Sequence, residues 1–249
     1  MRYLMLVRVP EDADPGPEDT DPRPWYDEAV RRGQHLGGER LRPADDATTV
    51  TAWHGVPAVT HGPFAEVAEQ IVGFDLLEVA SQEESVAVAA GHPVARFGAL
   101  ELRALWPHEG HDGAWVPVED PGAPTPEEEP FDGAASYLLL MASVPSAPQP
   151  GSAAEGAAVD GTTPDWVAEM GRRDIDRGGE PLRPAEEAIT VRVRDDRTLI
   201  THGPFAELAE QVGGYNLIAA ANLDEAIEVA GSHPAARHGA IEIRPLWPM

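Results

Sequence analysis

A seven-residue sequence, Thr-His-Gly-Pro-Phe-Ala-Glu, occurs twice in this chain, at residues 60–66 and 201–207. The similarity extends far beyond it, because residues 25–106 align without a gap onto residues 166–247 and about half of the aligned positions are identical. A repeat of roughly 105 residues has the length of a domain and not that of a solenoid unit. The chain is therefore a duplicated module, and its fold must be one that each copy encodes.

The composition excludes several classes of function. The formal net charge is −25, so nucleic acids and anionic membrane surfaces are unfavourable partners. The chain has no cysteine, which removes disulfides and thiolate metal sites, and all its basic residues are arginine, which removes lysine chemistry. No run approaches the roughly 18 apolar residues of a membrane helix, and the apolar run at residues 3–7 is too short for a signal peptide. We expect a cytoplasmic protein without a membrane partner.

The hydrophobic pattern predicts the same order of elements in each copy. An apolar strand, a helix, an alternating hairpin, a buried strand, a second helix and a final alternating strand follow one another. The second helices begin with capping signatures at residues 81–84 and 222–225 and end at His-Pro pairs, and the Gly pairs 37–38 and 178–179 suit the end of the first helices. This strand–helix–strand–strand–helix–strand order is ferredoxin-like and of the α+β class, with antiparallel sheets. The predicted domains are residues 1–106 and 135–249, joined by an extended, Pro/Gly-rich acidic linker at residues 107–134.

These motifs resemble the YCII-related family, in particular its branch named for an Asp-Gly-Pro-Phe motif. The resemblance rests on the Gly-Pro-Phe-Ala-Glu segments, on Leu-Arg-Pro-Ala at residues 41–44 and 182–185, on Gly-Phe-Asp-Leu-Leu at residues 73–77, and on the His-Pro segments with the strands after them. It covers both copies. It implies two tandem ferredoxin-like domains that pair within one chain as a pseudo-dimeric α+β barrel. Because one family member is a dehydrochlorinase, it also implies a small-molecule enzyme.

The chain departs from the family pattern at the positions where chemistry is proposed. The motif begins with Asp in the family and with His here, at His61 and His202, and the proposed catalytic Asp of the family falls at His92 and His233. The histidine proposed in the first helix of the family has no counterpart, since Asp27 and Ala168 lie near its position. The His–Asp pair of the family is therefore not transferred to this chain.

Histidines shared by the two copies are the leading candidates for catalysis. His61 and His202 follow a strand and precede a Gly-Pro turn, where an imidazole with a pKa near 6.5 can act as a general acid or base, or can simply bind the turn backbone. His92 and His233 end a helix and either take part in catalysis or cap its carbonyls. Convergence with Glu66 or Glu207 would allow a metal site, but the spacing is not that of metal ligands and we predict no metal. His35, His54, His108, His111 and His238 are not shared and are set aside.

Other shared residues complete the predicted site. Glu66 and Glu207 are candidate general bases or solvated carboxylates. Arg42, Arg183, Arg96 and Arg237 are candidate clamps for an anionic substrate group, or partners of surface carboxylates. Phe64 and Phe205 are candidate substrate contacts, although these phenylalanines and the tryptophans at 25, 106, 166 and 247 also suit packing.

We therefore expect a small-molecule enzyme that uses no cofactor and works by acid–base chemistry, of a lyase, isomerase or dehydrochlorinase type. The alternatives are a non-catalytic ligand-binding or regulatory module and a scaffold for a protein partner. The two sites need not be equivalent, because residues 53–57 replace the regular hairpin turn found at residues 194–198.

Overall fold

The computed structural model describes residues 1–13, 15–16, 21–65, 69–106, 135–144, 163–204 and 211–247. The predicted linker at 107–134 lies outside these residues. The strands are β1 (Arg2–Pro10), β2 (His35–Arg40), β3 (Thr48–Thr51), β4 (Ala58–His61), β5 (Glu69–Glu78), β6 (Ala99–Ala104), β7 (Ala135–Ser143), β8 (Asp176–Pro181), β9 (Ile189–Arg194), β10 (Arg197–His202), β11 (Gln211–Ala220) and β12 (Gly239–Pro245). The helices are α1 (Arg23–Arg31), α2 (Gln82–Gly91), α3 (Thr163–Arg172) and α4 (Leu223–Ser232).

The strands form two six-stranded antiparallel sheets, in the orders β10-β9-β6-β1-β5-β2 and β4-β3-β12-β7-β11-β8. Each sheet takes four strands from one copy and one hairpin from the other, because β9 pairs with β6 and β3 pairs with β12. Two antiparallel sheets with their helices confirm the predicted α+β class.

The compact units of the structure consequently exchange a segment. Unit 1 consists of Met1–Leu41, Glu66–Gly110 and Leu182–Glu207, and unit 2 consists of Arg42–Ala65, His111–Pro181 and Leu208–Met249. The predicted boundaries at 1–106 and 135–249 describe the sequence duplication, whereas each unit combines residues of both copies.

Each unit has a hydrophobic core between its helices and one face of its sheet. In unit 1, Val88 and Ala89 of α2 pack with Met5, Leu77 and Leu102 of the sheet, and the exchanged strand β9 contributes to the same core. In unit 2, residues of α3 and α4 pack in the same way on β7, β11 and β12, with Val50 of the exchanged β3 included. The hairpin is therefore part of the core that it joins.

The helix ends confirm some predictions and correct one. Ser81 accepts a hydrogen bond from the N–H of Glu84, and Asn222 accepts one from Glu225, as the capping signatures predict. The first helices do not end at the Gly pairs. They end earlier, where Gly33 and Asp174 adopt positive φ of 67° and 56°.

The Gly pairs belong instead to strands β2 and β8, which the sequence does not predict because glycine weakens a strand. A Cβ at Gly38 would lie 2.5 Å from Oδ1 of Asp75, and one at Gly179 would lie 2.2 Å from Nδ2 of Asn216. Gly38 and Gly179 must lack a Cβ because the side chains of Asp75 and Asn216 on strands β5 and β11 occupy that space.

Candidate functional site

The two motif histidines end the edge strands of the two sheets. His61 is the last residue of β4 and His202 the last residue of β10, and both side chains are exposed. The glycines that follow have φ of 96° and 98°, and their N–H groups donate to the carbonyls of Ala47 and Ala188 at 2.8 Å. The invariant Gly of the repeat thus serves a turn that closes the hairpin.

The rest of the first motif is held by unit 2. The N–H of Phe64 donates to Oε2 of Glu242 at 3.0 Å, and Thr49 Oγ1 donates to the carbonyl of Gly62 at 2.9 Å. Of the other motif residues that the sequence predicts to act, Glu66, Glu207 and Phe205 lie outside the described part of the chain. The described contacts are those of a structural turn.

His92 and His233 each lie between a helix and a single 3-10 turn, and both are buried. Their Nδ1 atoms accept hydrogen bonds from the N–H of Val94 at 3.2 Å and of Ala235 at 3.1 Å. Burial lowers the pKa of His233 to about 4. It also lowers the pKa of His92, where the charge of Asp75 acts in the opposite direction and His35 adds to the lowering. Each imidazole is therefore neutral at pH 7 and carries its proton on Nε2.

The arginines predicted to bind an anion have other partners. Nε of Arg42 pairs with Asp46 at 2.8 Å, and Nε of Arg183 pairs with Glu187 at the same distance. The two guanidinium groups also lie 5.3 Å and 5.0 Å from the ring centroids of Trp247 and Trp106. Arg96 and Arg237 are exposed on the 3-10 turns, and Arg96 lies 3.4 Å from Asp196.

A histidine that the sequence analysis set aside forms the most chemically suggestive contact in unit 1. Nε2 of His35 lies 2.9 Å from Oδ1 of Asp75, and the two side chains are only 4% and 13% exposed. His35 begins β2 and Asp75 lies in β5, on the face of the sheet that also carries Met5 and Leu77. An imidazole hydrogen-bonded to a carboxylate is the arrangement that fixes a tautomer and supports a developing imidazolium.

Aromatic rings of α1 contact the histidine of this pair. The ring of Tyr26 is 4.9 Å from that of His35, and the ring of Trp25 is 5.8 Å from it, both edge to face. Trp25 also meets His92 at 4.6 Å. Because Trp25 contacts both histidines and His35 is hydrogen-bonded to Asp75, the two histidines and the aspartate form one group beside α1.

A further titratable carboxyl lies on the opposite face of the same strands. Glu39 pairs with Phe74 in the β2–β5 register, whereas Asp75 pairs with Gly38, so the two carboxyl groups point to different faces. Burial, followed by the negative charge of Asp75, raises the pKa of Glu39 to about 7. Its charge therefore changes near neutral pH.

Unit 2 keeps the framework of this group and changes its chemistry. Trp166 meets His233 at 4.5 Å, edge to face, as Trp25 meets His92. At the positions of His35, Asp75 and Tyr26, however, the second copy has Asp176, Asn216 and Val167. In the part of the chain that the structure describes, this His–Asp pair is therefore found in unit 1 and not at the matching positions of unit 2.

Comparison with known proteins agrees with the repeated motifs. A family model described as the YCII-related domain matches residues 1–109 and 178–249, which is more than half of the chain. The chain belongs to the YCII-related domain family. Among curated proteins, an uncharacterized protein from Rhizobium meliloti (strain 1021) is 42% identical to this YCII-related chain over 67 residues. That segment is 26% of the chain and 54% of the relative, so the chain spans about half the length of this relative.

The structure of this YCII-related protein brings together only some of the residues expected to act. His92 lies beside the His35–Asp75 pair, whereas His61, Arg42 and Arg96 are engaged in, or exposed on, other parts of the fold. Their proposed functional roles, like the assignment to the Asp-Gly-Pro-Phe branch, stay predictions. In the described residues no helix is long and apolar enough to cross a membrane, and no group of three or more His, Asp or Glu side chains has the geometry of a metal site.

His35 is not predicted from the sequence because the candidate histidines are those present in both copies, and the second copy has Asp176 at this position. A residue shared by both copies can be one that the fold requires, and a site present in one copy is missed by this comparison. The signal that identifies His35 is a difference between the copies, namely the paired change of His and Asp to Asp176 and Asn216.

Proposed function

We propose that this YCII-related protein is an acid–base enzyme that acts on a small molecule in unit 1, without an organic cofactor. The observation that supports this is the 2.9 Å contact between Nε2 of His35 and Oδ1 of Asp75. The repeated motif favours His61 and His202 for this role. Their exposure at the ends of edge strands makes His35 the better candidate for the general base.

The hydrogen bond assigns the proton positions. With its proton on Nε2 and donated to Asp75, neutral His35 has a free lone pair on Nδ1, which is the basic atom. When Nδ1 accepts a proton, the carboxylate of Asp75 stabilises the imidazolium. Neutral His92, whose Nδ1 is occupied by the N–H of Val94, contributes an Nε2–H donor that suits an oxygen gaining negative charge.

These groups suit reactions that begin with removal of a proton from carbon. In an elimination, His35 takes the proton, the C–H electron pair forms the new double bond, and the leaving group departs as an anion. In an isomerisation, the imidazolium returns the proton to another carbon of the same molecule. Both follow from one base and one hydrogen-bond donor, and neither needs a redox partner.

The test is a screen of small C–H acids, including a β-chloro ketone, followed by chloride release, and 5-nitrobenzisoxazole, followed by the absorbance of the ring-opened phenolate. We expect turnover above the buffer rate for at least one compound, reduced 100-fold or more in His35→Gln and at least tenfold in Asp75→Asn. His61→Ala and His202→Ala are the matched motif variants and should keep the activity. Equal rates in the original protein and His35→Gln for every compound would refute the proposal.

The competing function is a non-catalytic ligand-binding module. It is favoured by unit 2, where Asn216 replaces the carboxylate and cannot hold a proton during a reaction. Binding of a compound that is unchanged by His35→Gln, together with no turnover, would support this alternative.

A further inference from the structure

Gln34, the residue directly before His35, is fixed through its backbone and through its side chain. Its N–H donates to the carbonyl of Ala29 at 2.8 Å, and its carbonyl accepts from the N–H of Glu78 at 2.9 Å. Its Nε2 donates to Oε1 of Glu84 at 2.6 Å, and the residue is only 7% exposed. Gln34 therefore ties the start of β2 to α1, β5 and α2.

The partner of the amide, Glu84, is itself held by the start of α2. Its N–H donates to Oγ of Ser81 at 3.2 Å, and its Oε2 accepts from the N–H of Ala80 at 2.6 Å. The Ala80 N–H, followed by the Gln34 amide, holds the pKa of Glu84 below its usual range. The carboxylate is therefore charged at pH 7, and a hydrogen bond to a charged acceptor is stronger than one between neutral groups.

The second copy keeps the backbone part of this arrangement and changes the side chains. Ile175 stands at the position of Gln34 and makes the same two backbone hydrogen bonds, but its side chain is buried in the core of unit 2. Glu225, the counterpart of Glu84, accepts from Arg173 at 3.0 Å. Among the matching described positions, the amide–carboxylate bond is thus found in unit 1 and not in unit 2.

This difference accompanies the loss of the His–Asp pair. The positions that change together between the copies adjoin or contact one another in unit 1: Gln34/Ile175, His35/Asp176 and Asp75/Asn216. Burial by itself favours an aliphatic residue before β8 and β2, so the amide of Gln34 is the unusual choice and needs its bond to Glu84. His35 also lies beyond a register shift of β2 at residues 35–37, so the regular ladder alone does not set its orientation.

We propose that Gln34 is a positioning residue for the His35–Asp75 pair. Its bond to Glu84 fixes the peptide that carries His35, so that the Nε2–H of the imidazole points at Oδ1 of Asp75 and Nδ1 stays the basic atom. A hydrogen bond weakens steeply when its angle departs from linearity, so a small rotation of the ring is enough to release the tautomer. The inference rests on the proposed function only for the use that is made of the base.

The experiment measures the ring nitrogen shifts of His35 at pH 7 in the full chain labelled with ¹⁵N at histidine, with the signals assigned by His35→Gln. We expect Gln34→Ile, which introduces the residue of the second copy, to raise the population with the proton on Nδ1 about fivefold, the change that corresponds to one net hydrogen bond. Glu84→Ala breaks the same bond from the other side and should have the same effect, so the result does not depend on one variant folding. The double variant should change the population no further than either single variant.

Glu225→Ala is the matched control. It removes the corresponding helix-cap contact, between Oε2 of Glu225 and the N–H of Ala221, from α4 of unit 2 and should leave the His35 signals unchanged. Urea midpoints separate repositioning from unfolding, and Gln34→Ile should keep the midpoint of the original protein because unit 2 already buries isoleucine at this position. His35 ring signals that stay unchanged in both Gln34→Ile and Glu84→Ala overturn the inference.

The ring signals are read without a substrate, which keeps the two proposals separable. Failure of the C–H acid screen refutes the proposed enzyme and leaves the positioning of His35 to be measured. Unchanged His35 signals refute the role of Gln34 and leave the screen as the test of the enzyme.

Discussion

The backbone N–H of Phe64 donates to Oε2 of Glu242 at 3.0 Å, and Oε1 of the same carboxylate lies 3.2 Å from Nη1 of Arg244. A residue of the repeated motif in the first copy is thus held by a buried ion pair on the last strand of the second. This contact gives the motif backbone at Phe64 a structural role that does not involve the side chain of His61.

Gly62→Ala should destabilise unit 2 while His61→Ala should not. Alanine at φ of 96° is strained, at a cost of about 1–3 kcal/mol, whereas the exposed His61 is a surface position worth less than about 0.5 kcal/mol. Urea unfolding of the two variants measures both values. Equal destabilisation would show that the imidazole, and not the turn, holds this loop.

Glu101→Gln should cost more than its counterpart Glu242→Gln. Glu101 is 2% exposed and pairs with Arg8 at 2.9 Å and Arg103 at 3.4 Å, so its removal leaves two buried guanidinium groups without that charge, at a cost of about 3–5 kcal/mol. Glu242 pairs with Arg244, and the second copy has Ala142 at the position of Arg8. Urea unfolding of both variants at pH 7 makes the comparison, and a larger loss for Glu242→Gln would contradict it.

Arg194→Ala should loosen the exchanged hairpin of unit 1. The guanidinium of Arg194 donates to the carbonyls of Ala95, Arg96, Val193 and Gly98 at 2.8 to 3.1 Å, which ties the hairpin to the 3-10 turn after α2. Loss of this charged donor should cost about 1.5–3 kcal/mol and raise amide hydrogen exchange in both segments. Arg197→Ala, at an exposed position of β10, is the control and should change neither quantity.

Glu39→Gln should stabilise the protein at alkaline pH and have little effect at acid pH. The folded-state pKa of about 7 is above the ordinary glutamate pKa of 4.5, so the folded state holds its proton more tightly and stability is lost as pH rises from 4.5 through 7. The neutral amide avoids this loss, which amounts to at most about 3 kcal/mol. Thermal unfolding at pH 5 and pH 8.5 tests it, with Glu78→Gln at the exposed end of β5 as control. A gain that is equal at both pH values would contradict the titration.

His233→Asn should remove part of the acid sensitivity of the protein. The folded-state pKa of about 4 is below the ordinary histidine pKa of 6.5, so the stability that neutral His233 provides is present above pH 6.5 and is lost as pH falls from 6.5 through 4. Asparagine can still accept the N–H of Ala235 and does not titrate. Urea midpoints between pH 7 and pH 4 should fall less in His233→Asn than in His238→Asn, which changes an exposed histidine just after the same turn. If the urea midpoints of the two variants fell equally between pH 7 and pH 4, the lowered pKa of His233 would be contradicted.

The sequence by itself determined the duplication, the family, the α+β class and the helix starts at Ser81 and Asn222. These features are local or periodic: a cap is fixed by neighbours three residues apart, and an alternating strand shows its buried face in its own residues. The comparison of the two copies strengthened each of them, because the same pattern appears twice.

Tertiary structure decided the exchange of hairpins, strands β2 and β8, and the pairing of His35 with Asp75. An antiparallel hairpin carries the same pattern whichever sheet it joins, so residues 48–61 and 189–202 do not reveal their partners. In the sequence Gly38 indicates a turn, whereas in the structure it allows Asp75 to lie against strand β2. That contact joins residues 37 positions apart, so the local sequence does not reveal it. The His35–Asp75 pair depends on the same kind of long-range contact. The repeat in the sequence shows the residues that both copies share, and this pair is not among them.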